Sequence, residues 1–177
     1  YNTDGQAVTL TYIDTTQGWI PTVDDDVTNE VPQTISVQYL VVAGGGAGGG
    51  GHRAGGGGAG GYRNSYASET SGRNASTETP WQLNAGTVVT VTVGGGGAVS
   101  STNNGGKGGD SSIAASGQTT ITSNGGGGGG EYEASADAGT YGSGGGAGHR
   151  TNHTTNGSNG TAGQGFDGGD VTVTNAT

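Results

Sequence analysis

Val8, Leu10 and Tyr12 alternate with Thr9 and Thr11, the period-two pattern of a half-buried strand. Gln17-Gly18 then predicts a turn, and Trp19-Ile20 a second short strand that Pro21 ends. Residues 36–43 form the first strong apolar run, with Val37, Tyr39 and Val41 on one face and Leu40 and Val42 on the other. Both faces are apolar, so protein is expected to cover both. Residues 80–86 read as a turn before a strand at 87–93, where Val89, Val91 and Val93 alternate with Thr90 and Thr92. A weaker run occupies 119–124, and Val171-Thr172-Val173 predicts a short closing strand.

Three of these runs open straight into glycine. The tracts begin at Gly44, Gly45 and Gly46, at Gly94, Gly95 and Gly96, and at Gly125, Gly126 and Gly127. A further tract carries Gly55, Gly56 and Gly57. No stretch has an apolar period of 3.6 residues, and glycine costs about 1 kcal/mol per residue in a helix relative to alanine. The predicted fold is therefore mostly β and irregular, with essentially no α-helix. Pro32 divides a β connector, residues 1–33, from a glycine-rich domain, residues 34–177.

Composition sharpens this picture. The 177 residues include 44 glycines and only 28% hydrophobic residues, too few large side chains for an ordinary apolar core. The formal charge of −9 argues against nucleic acid and anionic membranes as partners. No apolar run approaches the ~18–20 residues of a membrane span, so no membrane insertion is expected. Without cysteine there is no disulfide, thiolate metal site or cysteine nucleophile. With no methionine, even at position 1, a processed or truncated product is expected.

Ordering glycine costs roughly 1–2 kcal/mol per residue, and no side chain offsets it. The tracts then have three outcomes: flexible linkers, phosphate cradles, or packing through their own N–H and C=O groups. Gly-Gly-Lys107 is followed by Gly108, so there is no P-loop. An extended chain with three residues per turn leaves every N–H and C=O free to bond laterally. Short strands feeding a packed bundle of such polyglycine II helices is the expected architecture. The well-alternating valines argue against linker disorder.

Residues 37–46, then 55–63, 85–94, 108–113, 125–130 and 160–169, resemble in order the glycine-rich domain common in bacteriophage fibre and appendage proteins. The resemblance spans roughly 34–169, and 8–14 with Gly18-Trp19 is similar to a segment that often precedes fibre domains. It implies similarity to the tip adhesins of T-even-like phages, in which layered polyglycine II helices form a rigid platform and variable loops bind the host surface. It also implies a virion-surface, extracellular location. The implied partners are other virion fibre proteins, a host surface protein or glycan, and further copies of the chain in a homo-oligomer, a trimer. Asp170 to Thr177 departs from the pattern.

No catalytic constellation is visible, and no cofactor is expected. Three adjacent carboxylates, Asp24-Asp25-Asp26, lack calcium-loop spacing. His149 and His153 suit a metal only on a helix, which neighbouring glycines oppose, so no metal site is expected. Receptor-contact candidates are Tyr66, Glu131, Tyr132, Glu133, Tyr141, His149 and Arg150, because exposed Tyr and Arg are favoured contact residues. The opposing reading has the tyrosines capping the glycine bundle. Two functions stay open: a virion fibre or decoration protein that attaches to a host cell, and a structural subunit of an extracellular filament or matrix.

Overall fold

The computed structural model describes residues 8–24, 34–149 and 151–172. It divides into two units, Tyr1–Thr34 and Ile35–Thr177. Among the described residues there is no α-helix; a single 3-10 turn occupies Gly72–Asn74. The tripeptide Asp24-Asp25-Asp26 lies outside the described residues beyond Asp24, as does Val173.

In the first unit, β1 (Val8–Tyr12) and β2 (Trp19–Asp24) form an antiparallel hairpin with a bulge between Thr9 and Leu10. Asp14 makes the turn: its Oδ1 accepts from the amides of Thr16 and Gln17, at 2.7 Å each. Gly18 takes the left-handed φ of +69° that closes it. The Tyr12 and Trp19 rings meet across the pair, 5.4 Å between centroids. Pro21 does not end β2. It lies opposite Leu10 inside the strand, beside the bulge, a place where a sheet tolerates a missing N–H.

β3 (Thr34–Val37), all but its first residue in the second unit, is followed by β4 (Leu40–Val42). The single run expected at 36–43 is thus two strands, with different partners. β3 pairs with β6 (Trp81–Asn84), and β4 pairs antiparallel with β5 (Tyr62–Asn64). β7 (Val89–Thr92), β8 (Ser111–Ala115) and β9 (Ile121–Ser123) form an antiparallel three-stranded sheet. β10 (Thr140–Tyr141) and β11 (Asn159–Gly160) make a short parallel pair. The closing strand expected at 171–173 reduces, where described, to one bridge from Val171 to Thr155.

The apolar core is small: Tyr39, Val41, Trp81, Leu83 and Ile121, with Val37, Ile113 and Ala115 against it. Residues 81–84, expected as a turn, are a strand whose Trp81 and Leu83 fill this core from one face. Cover on both faces of β4 does not materialise. Val41 is buried, but Leu40 and Val42 are 59% and 51% exposed, because β8 and β9 pack on one side only.

Beyond the strands, the interior is mostly backbone, with small side chains such as Ser65, Ala147 and Ser158 buried among it. The tract 44–50 shows how it is held. Amides of Ala43, Gly46 and Gly49 donate to the carbonyls of Gly61, Gly58 and Gly55. Those of Gly44, Ala47 and Gly50 donate to Gly109, Gly106 and Asn103. The carbonyls of Gly44 and Ala47 accept from Gly126 and Gly129. Each neighbour recurs every third residue. β4–β5 therefore continues into an antiparallel pair of tracts, and β7–β8 does the same through Gly109 to Gly95 and Gly106 to Ala98.

Tract 125–130 is at the centre, every residue buried. It bonds to four other tracts: 44–50, 55–61, 105–109 and 142–148. Its missing side chains show the same period of three. A Cβ on Gly125 or Gly128 would meet the backbone of Gly108 or Gly105; on Gly126 or Gly129, that of Gly58 or Gly55. On Gly127 or Gly130 it would come within 2.7 Å of the amide of Gly145 or Gly148. At the rim the rule relaxes. Gly56 and Gly95 have open space where a Cβ would stand, and side chains return in step with Gly56 at exposed Ala59.

Candidate functional site

The hydrogen-bond directions fix two ends. Tracts 44–50, 125–130 and 142–148 run one way, and 55–61 and 105–109 run back. Loops 51–54, 99–104 and 131–138, with His149 and residues 151–155, therefore gather at the end remote from the strands. Loops 65–80 and 161–164 lie at the strand end.

The remote end brings together Glu131, Tyr132, Glu133 and His149. Glu133 donates its amide to the His149 carbonyl (3.2 Å), and His149 donates its own to Arg53 (2.8 Å). The Tyr132 ring stacks on His52, 4.3 Å between centroids and 25° between planes. The neighbouring Glu133 carboxylate raises the pKa of the Tyr132 hydroxyl above the ordinary tyrosine value. Asn104 clamps two loops: its Nδ2 donates to Asp137 Oδ1 (2.6 Å) and its Oδ1 accepts from the Glu131 amide (2.8 Å). Arg53, Glu133 and Asn152 hold left-handed φ of 57°, 65° and 62°, which costs non-glycine residues energy and marks a backbone shaped by its surroundings. The Nδ1 of His149 is enclosed without a hydrogen-bond partner among the described residues.

Beside this end lies a cleft of about 660 Å³, lined among others by Ser135, Asn156, Ser158, Asn159 and Asp170. That volume is within the range of ligand sites. Its hydroxyls, amides and one carboxylate offer hydrogen bonds to a neutral, polyhydroxylated ligand.

The other candidates are elsewhere. Tyr66 is exposed at the strand end, beside a cleft of about 280 Å³ with Gln38, Leu40 and Glu69. Tyr141 lies half-buried in β10, its ring where a Cβ on Gly127 or Gly139 would come. Arg150 lies outside the described residues. Two participants at the remote end carry no recognisable sequence signal. His52 looks like one more interruption of glycine, and Asn104 like one more turn residue.

The strand end is held by a polar network. Arg63 donates Nε and Nη2 to Glu78 Oε1 and Oε2 (2.8 and 2.6 Å), and the Tyr39 hydroxyl and Ser71 Oγ donate to the same carboxylate (2.9 and 3.1 Å). Burial first, then the hydrogen bond to Glu78, push Tyr39 up from 10.0 to about 12. The sign follows: folded and unfolded chains both keep this proton below pH 10, and only the unfolded chain releases it between 10 and 12. Stability is thus expected to fall by about 2–3 kcal/mol as pH rises through that window. Urea unfolding from neutral to alkaline pH checks this, and Tyr39→Phe removes that contribution to the slope.

No curated protein and no solved structure matches the chain. The sequence pattern of one family, described as a glycine-rich domain, matches residues 22–176, nearly the whole of the second unit and part of the first. That match covers well over half of the chain, and the chain belongs to this glycine-rich domain family.

Proposed function

We propose that this chain is a virion surface subunit, of a phage fibre or decoration, that attaches to a host cell through the loops gathered at the remote end. The observation that carries the reading is that three loops, separate in sequence, present Tyr132, His52, Glu133 and His149 together on a scaffold of backbone. The tracts are polyglycine II helices in this reading. Their bonding partners recur every third residue, the period of an extended polyproline II-type chain. A backbone core with no side chains to repack is rigid, and loop sequence changes without disturbing it. The work is binding to a host surface protein or glycan, with no reaction, cofactor or metal.

Immunogold electron microscopy on the source material, with antibody against residues 131–140, is the test. Gold on projections from virions supports attachment. Gold spaced along free filaments replaces it with the structural-polymer reading. On cells that such virions infect, Tyr132→Ala is expected to weaken binding of the labelled chain about 30-fold, the effect of losing an aromatic anchor. Tyr66→Ala, at the opposite end, is expected to leave binding unchanged.

A further inference from the structure

We propose that β7 is a self-association edge, pairing antiparallel with β7 of a second copy of this chain about a two-fold axis. Among the described strands β7 pairs only with β8, so the N–H and C=O groups of its other side face outward. Val89 and Val91 stand opposite Ala115 and Ile113, which pack on the apolar core. Residues directly opposite in an antiparallel pair share a face. The core-facing side of the sheet therefore runs on past the core, onto a strand whose valines stand largely exposed. On that face Val89 is 38% exposed, Val91 64% and Val93 82%.

Natural edge strands are blunted by lysine, proline or a bulge. β7 has none of these: its register with β8 is unbroken, and residues 79–106 contain no charged side chain. The chain as a whole carries −9, so two copies repel over most of their surface. This neutral stretch is where they approach without opposing charge, which favours a second copy over a basic partner that would seek the acidic surface. The sequence is also self-complementary. Val89-Thr90-Val91-Thr92-Val93 reads the same in both directions. Antiparallel pairing centred on Val91 puts valine against valine and threonine against threonine. A two-fold contact of this kind closes on itself and consumes the edge. It yields a dimer in place of the trimer that the fibre resemblance implies, and it stands apart from the attachment reading.

Sedimentation equilibrium of the full chain tests it, with circular dichroism confirming the fold of each variant. The unmodified chain is expected to dimerise. Val91→Lys places two lysines face to face and is expected to raise the dissociation constant about 100-fold. Mixing Val91→Lys with Val91→Glu is expected to restore a mixed dimer, because residue 91 meets its own copy only across this axis. A chain that stays monomeric at its highest soluble concentration overturns the proposal. So does an oligomer of any size that Val91→Lys leaves intact, or a lysine–glutamate mixture that remains monomeric.

Discussion

Gly128→Ala is expected to abolish the cooperative unfolding transition of the glycine-rich unit, while Gly56→Ala raises its stability. One methyl group separates each variant from the parent. At Gly128 it would occupy the place of the Gly105 carbonyl. Relief requires the tract 105–109 to retreat from 125–130, which stretches the bonds from Gly105 to Gly129 (2.9 Å) and from Gly108 to Gly126 (2.8 Å). The same tract bonds to 44–50, so the disturbance reaches a third chain segment. Each bond contributes about 1 kcal/mol, and buried groups left without partners cost more. A loss above about 4 kcal/mol is a large share of the 5–15 kcal/mol that holds a domain together.

At Gly56 the site is open, with nothing within 4 Å of the added methyl. There the dominant effect is on the unfolded chain, which loses freedom, and a gain of about 0.4–1 kcal/mol is expected. Calorimetry of both variants reads the difference. A Gly128→Ala protein melting within a few degrees of the parent would show that the backbone core yields far more easily than its spacing implies.

Glu78→Ala is the second substitution with a large expected cost, about 3 kcal/mol. It removes the acceptor that Arg63, Tyr39 and Ser71 share, and leaves a guanidinium one-quarter exposed without its counter-charge. Arg63 also donates to the Thr122 carbonyl (3.2 Å), so the loss reaches β9. Burial pushes the Glu78 carboxyl up, but hydrogen bonds from Arg63, Tyr39 and Ser71 with the Arg63 charge outweigh it, and the net pKa lies below the ordinary 4.5. A depressed carboxylate contributes stability that is present above 4.5 and lost as pH falls through the lower folded value. Urea unfolding between neutral pH and the acid limb reads it. Glu78→Gln keeps the shape and is expected to flatten part of the acid slope; an unchanged slope would assign the acid sensitivity to other carboxylates.

Much of the fold was legible because the signals are local. Valine alternation marks β7, and the apolar run at 36–43 marks β4, as strand propensity and patterning dictate. β5 and β8 were not legible: Tyr62-Arg63-Asn64 and Ser111-Ser112-Ile113 have little alternation, and they are strands because β4 and β7 pair with them. The exposure of β7 was not legible either. Its pattern is that of a half-buried strand, and only the small size of the core leaves the valines uncovered. The sequence places Glu131, Tyr132, Glu133 and His149 in loops, but nothing in it separates them from Tyr66 at the other end.

By itself the sequence determined that the described residues hold no α-helix, form short strands, and cannot build their interior mainly from side chains. Those are properties of single residues and close neighbours, above all of glycine, whose missing Cβ is the same wherever it occurs. The tertiary structure alone decided which tract lies beside which, that 125–130 is central, and that His52 stacks on Tyr132. The reason is the nature of the cement. A backbone amide offers every carbonyl the same bond, so a glycine tract carries no label for its partner. Order among the tracts comes from the strands and loops at their ends, and these find their places only when the whole unit has closed.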